Sequence, residues 1–185
     1  MKRVTYKSAG VDVKKGDAFV EALKKMLRGR KDPNVVAGIG GFAAAYRIPV
    51  SFGRVPLMIS GTDSVGTKLK VAFMTSQHDT VGIDCVAMCA NDVAVQGARP
   101  IFFLDYFATS GIPLRVMKTV MKGVIEGCDQ AGCSLIGGEN CELPGIYKKG
   151  EYDLVGFCVG EAQESEMLPK ASIRPGDAVI GIGSK

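Results

Sequence analysis

Histidine is nearly absent from this chain: His78 is the only one among 185 residues. Ser/His/Asp hydrolysis needs a histidine near a nucleophile elbow, and "SQHDT" (76–80) stands beside no G-x-S-x-G. His78 reads instead as a loop or capping residue. There is also no C-x-x-C pair, so a zinc site built from cysteine and histidine is poorly supplied. No apolar run approaches the roughly 18 residues that span a bilayer. Residues 1–7 are basic but lack the apolar core of a secretory signal, so a cytoplasmic protein without membrane attachment is expected. A long basic stripe interleaved with aromatics is missing too. The net charge is only +4, and its densest part, Lys24, Lys25, Arg28, Arg30 and Lys31, suits a solvated helix face. Nucleic acid is therefore not an expected partner.

What is present fits one ordinary globular domain, with 46% hydrophobic and 23% charged residues. Six cysteines occur, and Cys85 and Cys89 share one face of an apolar helical stretch, the setting of buried free thiols. Apolar spacing predicts helices over 16–30, from 65 onward, over 80–98 and over 113–131. Strands are predicted at 55–60, 101–108, 134–138 and 153–160. Together they predict an α+β fold of mixed α/β layers, a mixed sheet packed on helices. The polar, proline-containing segment 161–177 reads as a link, which divides the chain into 1–165 and 166–185. Beyond it, "AVIGIGSK" (178–185) reads as the first strand of a further domain, so the chain is expected to be the front of a longer protein.

"GTDSVGTK" (61–68) carries the chemistry. It keeps the glycine spacing of a P-loop but ends Thr67-Lys68, the reverse of that motif's Lys-Ser/Thr. The transposition turns the lysine by about 100° around the helix, so it does not copy the P-loop lysine. Asp63 would repel a phosphate unless a cation lay between them, which favours a metal-bridged phosphate over a bare cradle. The alternative is a strand–helix turn whose glycines serve geometry alone. Asn91-Asp92 places an acid in an apolar helix; a divalent ion, a buried salt bridge or a solvent-facing helix end would each account for it. "GGENCELPG" (137–145) follows a strand end with Glu139 and Glu142, either hard oxygen ligands or solvated glutamates. A rival signal, "GIGGFA" (38–43), matches the relaxed dinucleotide fingerprint but lacks its strand–helix setting.

"TYKSAGVD" (5–12), "SGTDSVGTKLKVA" (60–72), "HDTVGIDCVAMCANDVAVQGARPIFFLDYFAT" (78–109), "AGCSLIGGENCELPG" (131–145) and "YDLVGFCVG" (152–160) together resemble the phosphoribosylformylglycinamidine cyclo-ligase family. The resemblance implies ATP-dependent closure of formylglycinamidine ribonucleotide to 5-aminoimidazole ribonucleotide, in purine biosynthesis, with ADP and phosphate released. It implies ATP and Mg²⁺ as cofactors, with Asp63, Asp92 and Glu139 as metal ligands and Asn91 in support. Gly61, Thr62, Gly66, Thr67 and Lys68 would meet the phosphates, and Lys7, Gly10 and Asp12 would belong to a segment closing over ATP. It further implies a homodimer in which strands of both subunits form a barrel. Two departures stand out. Ser64 replaces a glycine usual in the family, which makes a positive φ there less favourable. A second domain, bearing a G-x-H-S-N-G-type stretch, is expected after residue 185, so these residues alone would turn over little. Alternatives are a small-molecule kinase of the same fold, such as a thiamine-monophosphate kinase, and a non-catalytic dimerisation fragment.

Overall fold

The computed structural model describes residues 5, 14, 17, 18, 21, 22, 24, 33–37, 42–48, 56–168 and 173–183. Lys7, Gly10 and Asp12 lie outside the described residues, as do 38–41 of the dinucleotide-like stretch. The described positions between 14 and 24 are helical, in line with the amphipathic period there.

Among the described residues six strands and three helices follow: β1 (Val35–Ala37), β2 (Ala44–Arg47), β3 (Leu57–Ser64), α1 (Lys68–Thr75), α2 (Val81–Ala94), β4 (Arg99–Thr109), α3 (Leu114–Ala131), β5 (Ser134–Glu142) and β6 (Tyr152–Ala162). The sheet order is β1-β2-β3-β6-β4-β5. Only β4 and β5 pair in parallel; every other neighbouring pair is antiparallel. Because β6 runs against both β3 and β4, the strands β3, β4 and β5 all point the same way. Their carboxyl ends therefore share one edge of the sheet.

Strand alternation sorts the side chains between two faces. Ile59, Phe103, Phe107 and Leu154 are fully or almost fully buried under α2 and α3, whose Val86, Val93, Val120 and Val124 are also inaccessible. The two helices approach closely where each carries a glycine. A Cβ added to Gly82 would meet Val120 O and Val124 N and lie 2.6 Å from Gly123 C. α3 starts after Pro113 and stops at Gly132, whose φ of 67° is the usual left-handed helix exit.

Several boundaries move from their expected places. β3 continues four residues past Ser60, because Gly61 to Ser64 pair in register with β6. α2 ends at Ala94, four residues early, so Asp92 sits in its last turn. β4 begins at Arg99, with Pro100 next to a register shift against β6 that accommodates its missing N–H. Residues 178–183 form no paired strand, and Val179 and Ile182 are almost wholly exposed. Among the described residues, no strand lies beside that stretch to exchange backbone hydrogen bonds with it. Among the described residues, no helix is long and apolar enough to cross a membrane.

Candidate functional site

At the shared carboxyl edge, β3 leaves the sheet through a tight turn into α1. Val65 is buried and its N–H donates to Leu154 O at 3.0 Å, which anchors the turn to β6. Gly66 follows with φ of 66°, a conformation glycine takes without a Cβ penalty. The Leu69 and Lys70 N–H groups donate to Gly66 O and Thr67 O. Gly66, Thr67 and Lys68 thus form the exposed lip of a helix N-terminus, where partial positive charge favours an anion. Lys68 reaches sideways, with Nζ 3.1 Å from Asp84 Oδ1 in the first turn of α2.

The residues before the turn are strand, not loop. Thr62 Oγ1 donates to Gly156 O at 2.7 Å, and Ser64 pairs with Val155. The Ser64 N–H donates to Asp63 Oδ1 at 2.8 Å. Among the described residues Ser76 is the one non-glycine with positive φ, so Ser64 occupies ordinary extended backbone. A glycine is not required there for conformation.

Asp63 lies on the helix-covered face, in register with Gly156, and α2 crosses directly over this part of β3. A Cβ on Gly61 would lie 3.5 Å from Asp92 Cβ, and Cys89 Sγ donates to Asp63 O at 3.8 Å. Asp92 is only half-buried. Loss of water, then the Asp63 charge, hold its carboxyl above the ordinary range. Of the three readings of Asp92, the solvent-facing helix end describes its position, with a second acid beside it. Two carboxylates at one place match how Mg²⁺ is held, by one or two protein oxygens with phosphate oxygens and water completing the shell. Asn91 is exposed, and its carbonyl accepts the Val95 N–H at 2.9 Å.

Glu139 does not join them. It pairs with Tyr106 on β4, and Cys141, two residues on, donates to Tyr106 Oη at 3.4 Å. Alternation therefore puts Glu139 with Tyr106 on the face opposite α2 and α3. Three strand spacings, about 14 Å, also separate it from β3. Among the described residues, no group of three His, Cys, Asp or Glu side chains is placed to hold a metal. Glu142, at the end of β5, is exposed.

Asp105 is the acid that sequence reading overlooks. The register Asp63–Gly156–Asp105 sets it on the same inner face, two strands from Asp63. Burial pushes its carboxyl up, against a lowering hydrogen bond from its own backbone. The signal was available in "IFFLDYFA", where Phe103 and Phe107 flank Asp105 at the two-residue period of a buried face. His78 is indeed a loop residue, with Nδ1 2.9 Å from Tyr152 Oη. Desolvation and then Arg115 hold its imidazole below the usual range, Asp79 opposing. All six cysteines are free, five of them buried.

The chain is 56% identical over 181 residues to the phosphoribosylformylglycinamidine cyclo-ligase of Sorangium cellulosum, covering 98% of this chain and 52% of that protein. It spans about half the length of the curated relatives it matches. Two solved structures share the fold at 20% identity. The complex of AaThiL with AMPPCP and TMP aligns with a TM-score of 0.59, covering 78% of this chain and 41% of that one. Hydrogenase maturation protein HypE in complex with ATP aligns with a TM-score of 0.53, covering 81% and 41%. The family model described as AIR synthase related protein, N-terminal domain, matches residues 43–162, and the chain belongs to that family.

Proposed function

We propose that this chain is the nucleotide-binding front portion of a cytoplasmic phosphoribosylformylglycinamidine cyclo-ligase, closing the imidazole ring of 5-aminoimidazole ribonucleotide at the expense of ATP. The observation that carries the reading is the 56% identity to a cyclo-ligase over 98% of the chain. The division into a unit over 1–165 and the start of another over 166–185 belongs to the same proposal.

ATP takes the carboxyl edge of β3, its phosphates over the lip formed by Gly66, Thr67 and Lys68, with Gly61, Thr62 and Asn91 nearby and Lys7, Gly10 and Asp12 closing from the amino-terminal segment. A helix N-terminus supplies N–H donors aimed at an anion without reorganisation. Asp63 and Asp92 hold Mg²⁺, which neutralises phosphate charge; Asp92, half-buried beside another acid, gains most from a cation. Lys68 leaves Asp84 for the phosphates when nucleotide arrives. The formyl oxygen attacks the γ-phosphorus and ADP departs. The amidine nitrogen then attacks the formyl carbon, the bond from that carbon to the phosphorylated oxygen breaks to release phosphate, and the nitrogen gives up its proton. Positioning and charge stabilisation do most of this work.

The protein acts as a homodimer whose subunits join strands into a barrel. The face opposite the helices supports this: Phe157 stands there 40% exposed. Glu139, on that face and three strands from β3, stays outside the Mg²⁺ site of Asp63 and Asp92. Phosphate release by the full-length gene product, with formylglycinamidine ribonucleotide against thiamine monophosphate, tests the reading. Turnover of the first supports it; turnover of thiamine monophosphate alone sinks it.

A further inference from the structure

A cavity of about 330 Å³ opens between α3 and the carboxyl-terminal halves of β4 and β5. That volume suits a small organic molecule. Phe107, Leu114, Met117 and Met121 give it an apolar wall, and Asp105 brings a carboxylate into it. The methionines adapt to the shape of whatever lies against them.

Asp105 is the informative group. None of the ion pairs among the described residues involves it, and its hydrogen bond comes from its own backbone N–H. A half-buried carboxylate in that state lacks the donors that normally offset its lost water. Lys118 lines the same cavity but makes no ion pair with it.

Gly138 is the second observation. Its φ is not positive, so no turn demands a glycine there. A Cβ at this position would instead press on the Asp105 side chain, 2.8 Å from Cγ and 2.6 Å from the backbone oxygen. The missing side chain keeps the carboxylate open toward the cavity. A planar pair of N–H donors is the partner a carboxylate binds best, by two parallel hydrogen bonds.

We propose that this cavity is a second ligand site, in which Asp105 receives an amidine-type N–H pair and the Met117–Met121 wall receives the apolar body. The amidine belongs either to the acceptor substrate or to a separate small molecule. The first source rests on the cyclo-ligase reading, and the second does not.

Benzamidine, titrated into the full-length gene product and followed by backbone amide NMR, tests the site. It is expected to shift Asp105, Gly138 and Asn140, with neutral benzamide and the Asp105→Asn variant each weakening binding about tenfold or more. Gly138→Ala, which sets a methyl against the carboxyl, is expected to weaken it similarly. If either variant fails to fold, the comparison of benzamidine with benzamide on the wild type still decides. No shift at those residues, or equal binding of benzamide, overturns the proposal. Competition of benzamidine with formylglycinamidine ribonucleotide, with a raised KM for it and an unchanged KM for ATP in Asp105→Asn, assigns the substrate as source. Binding without competition assigns a separate ligand. If the wild type turns over no formylglycinamidine ribonucleotide, the cyclo-ligase reading fails while the benzamidine result still stands.

Discussion

Asp63 and Asp92 come together where α2 crosses β3, and the charge of Asp63 helps hold the Asp92 carboxyl above its ordinary range. In the folded state Asp92 therefore binds its proton more tightly than in the unfolded chain. The resulting penalty is absent below the unfolded value, near pH 4, and fully present above the folded one. Without metal, Asp92→Asn is expected to raise Tm at pH 7 by about 1–2 °C and to change nothing at pH 3. If Asp92 holds Mg²⁺ as proposed, the sign reverses with Mg²⁺ and ATP, and calorimetry should show nucleotide binding weakened about tenfold or more. Unchanged Mg-ATP affinity in the variant would remove Asp92 from the metal site.

Lys68 and Asp84 form an exposed pair at 3.1 Å, worth at most about 1 kcal/mol to stability. On the proposed reading, Asp84 and the nucleotide phosphates compete for Lys68. Lys68→Ala is expected to weaken nucleotide binding several-fold, and Asp84→Asn to strengthen it slightly, both with little change in Tm. Strengthening by Lys68→Ala would show that the lysine stays with Asp84.

Gly82→Ala drives a methyl group into the backbone of α3 at Val120 and Val124. Overpacking of this kind costs about 1–3 kcal/mol. Each kcal/mol lowers Tm by about 2–4 °C in a domain of this size. Thermal unfolding followed by circular dichroism measures it. A variant as stable as the wild type would mean that α2 and α3 move apart freely.

His78 has a depressed imidazole value, so folding disfavours its protonated form. The sign is opposite to that of a histidine paired with an acid. Its stabilising contribution is complete above about pH 6.5 and declines as pH falls below it. His78→Gln should flatten that part of the stability–pH curve. An unaltered slope would assign the dependence to other groups.

Thiol labelling checks the cysteines. Burial pushes Cys89 up to about 11, and Cys128 and Cys158 up to about 12, with Cys85 and Cys133 also raised. At pH 8 the native protein is expected to react at Cys141 first, and at all six only after unfolding. Rapid native labelling of Cys85 or Cys89 would contradict the packing of α2 against β3 and β6.

The helices over 80–98 and 113–131 are legible in sequence because their apolar period is long, and Gly132 marks the end of the second. The strand over 101–108 is equally plain from its run of aromatics behind Ile101. The site is legible only in part. Asp63 and Asp92 can be named from their local setting, but the face on which a strand residue lands depends on distant partners. Glu139 shows this. A register shift between Phe103 and Leu104 lies upstream of it in the β4–β5 ladder, and nothing local to "GGEN" reports that pairing. Ser64 is obscured for a related reason: a segment rich in turn formers becomes strand because β6, some ninety residues later, pairs with it.

β6 also has a consequence for how the molecule is made. β3 and β4 never touch as neighbours; each is zipped to its own side of β6. As the chain emerges during synthesis, β1-β2-β3 and β4-β5 are two unjoined ladders until Tyr152–Ala162 arrives to bridge them. The slow, non-local closure falls to the last strand of the sheet to be synthesised. A chain ending at residue 150 would present two open strand edges, those of β3 and β4, both lacking the one strand that pairs with them.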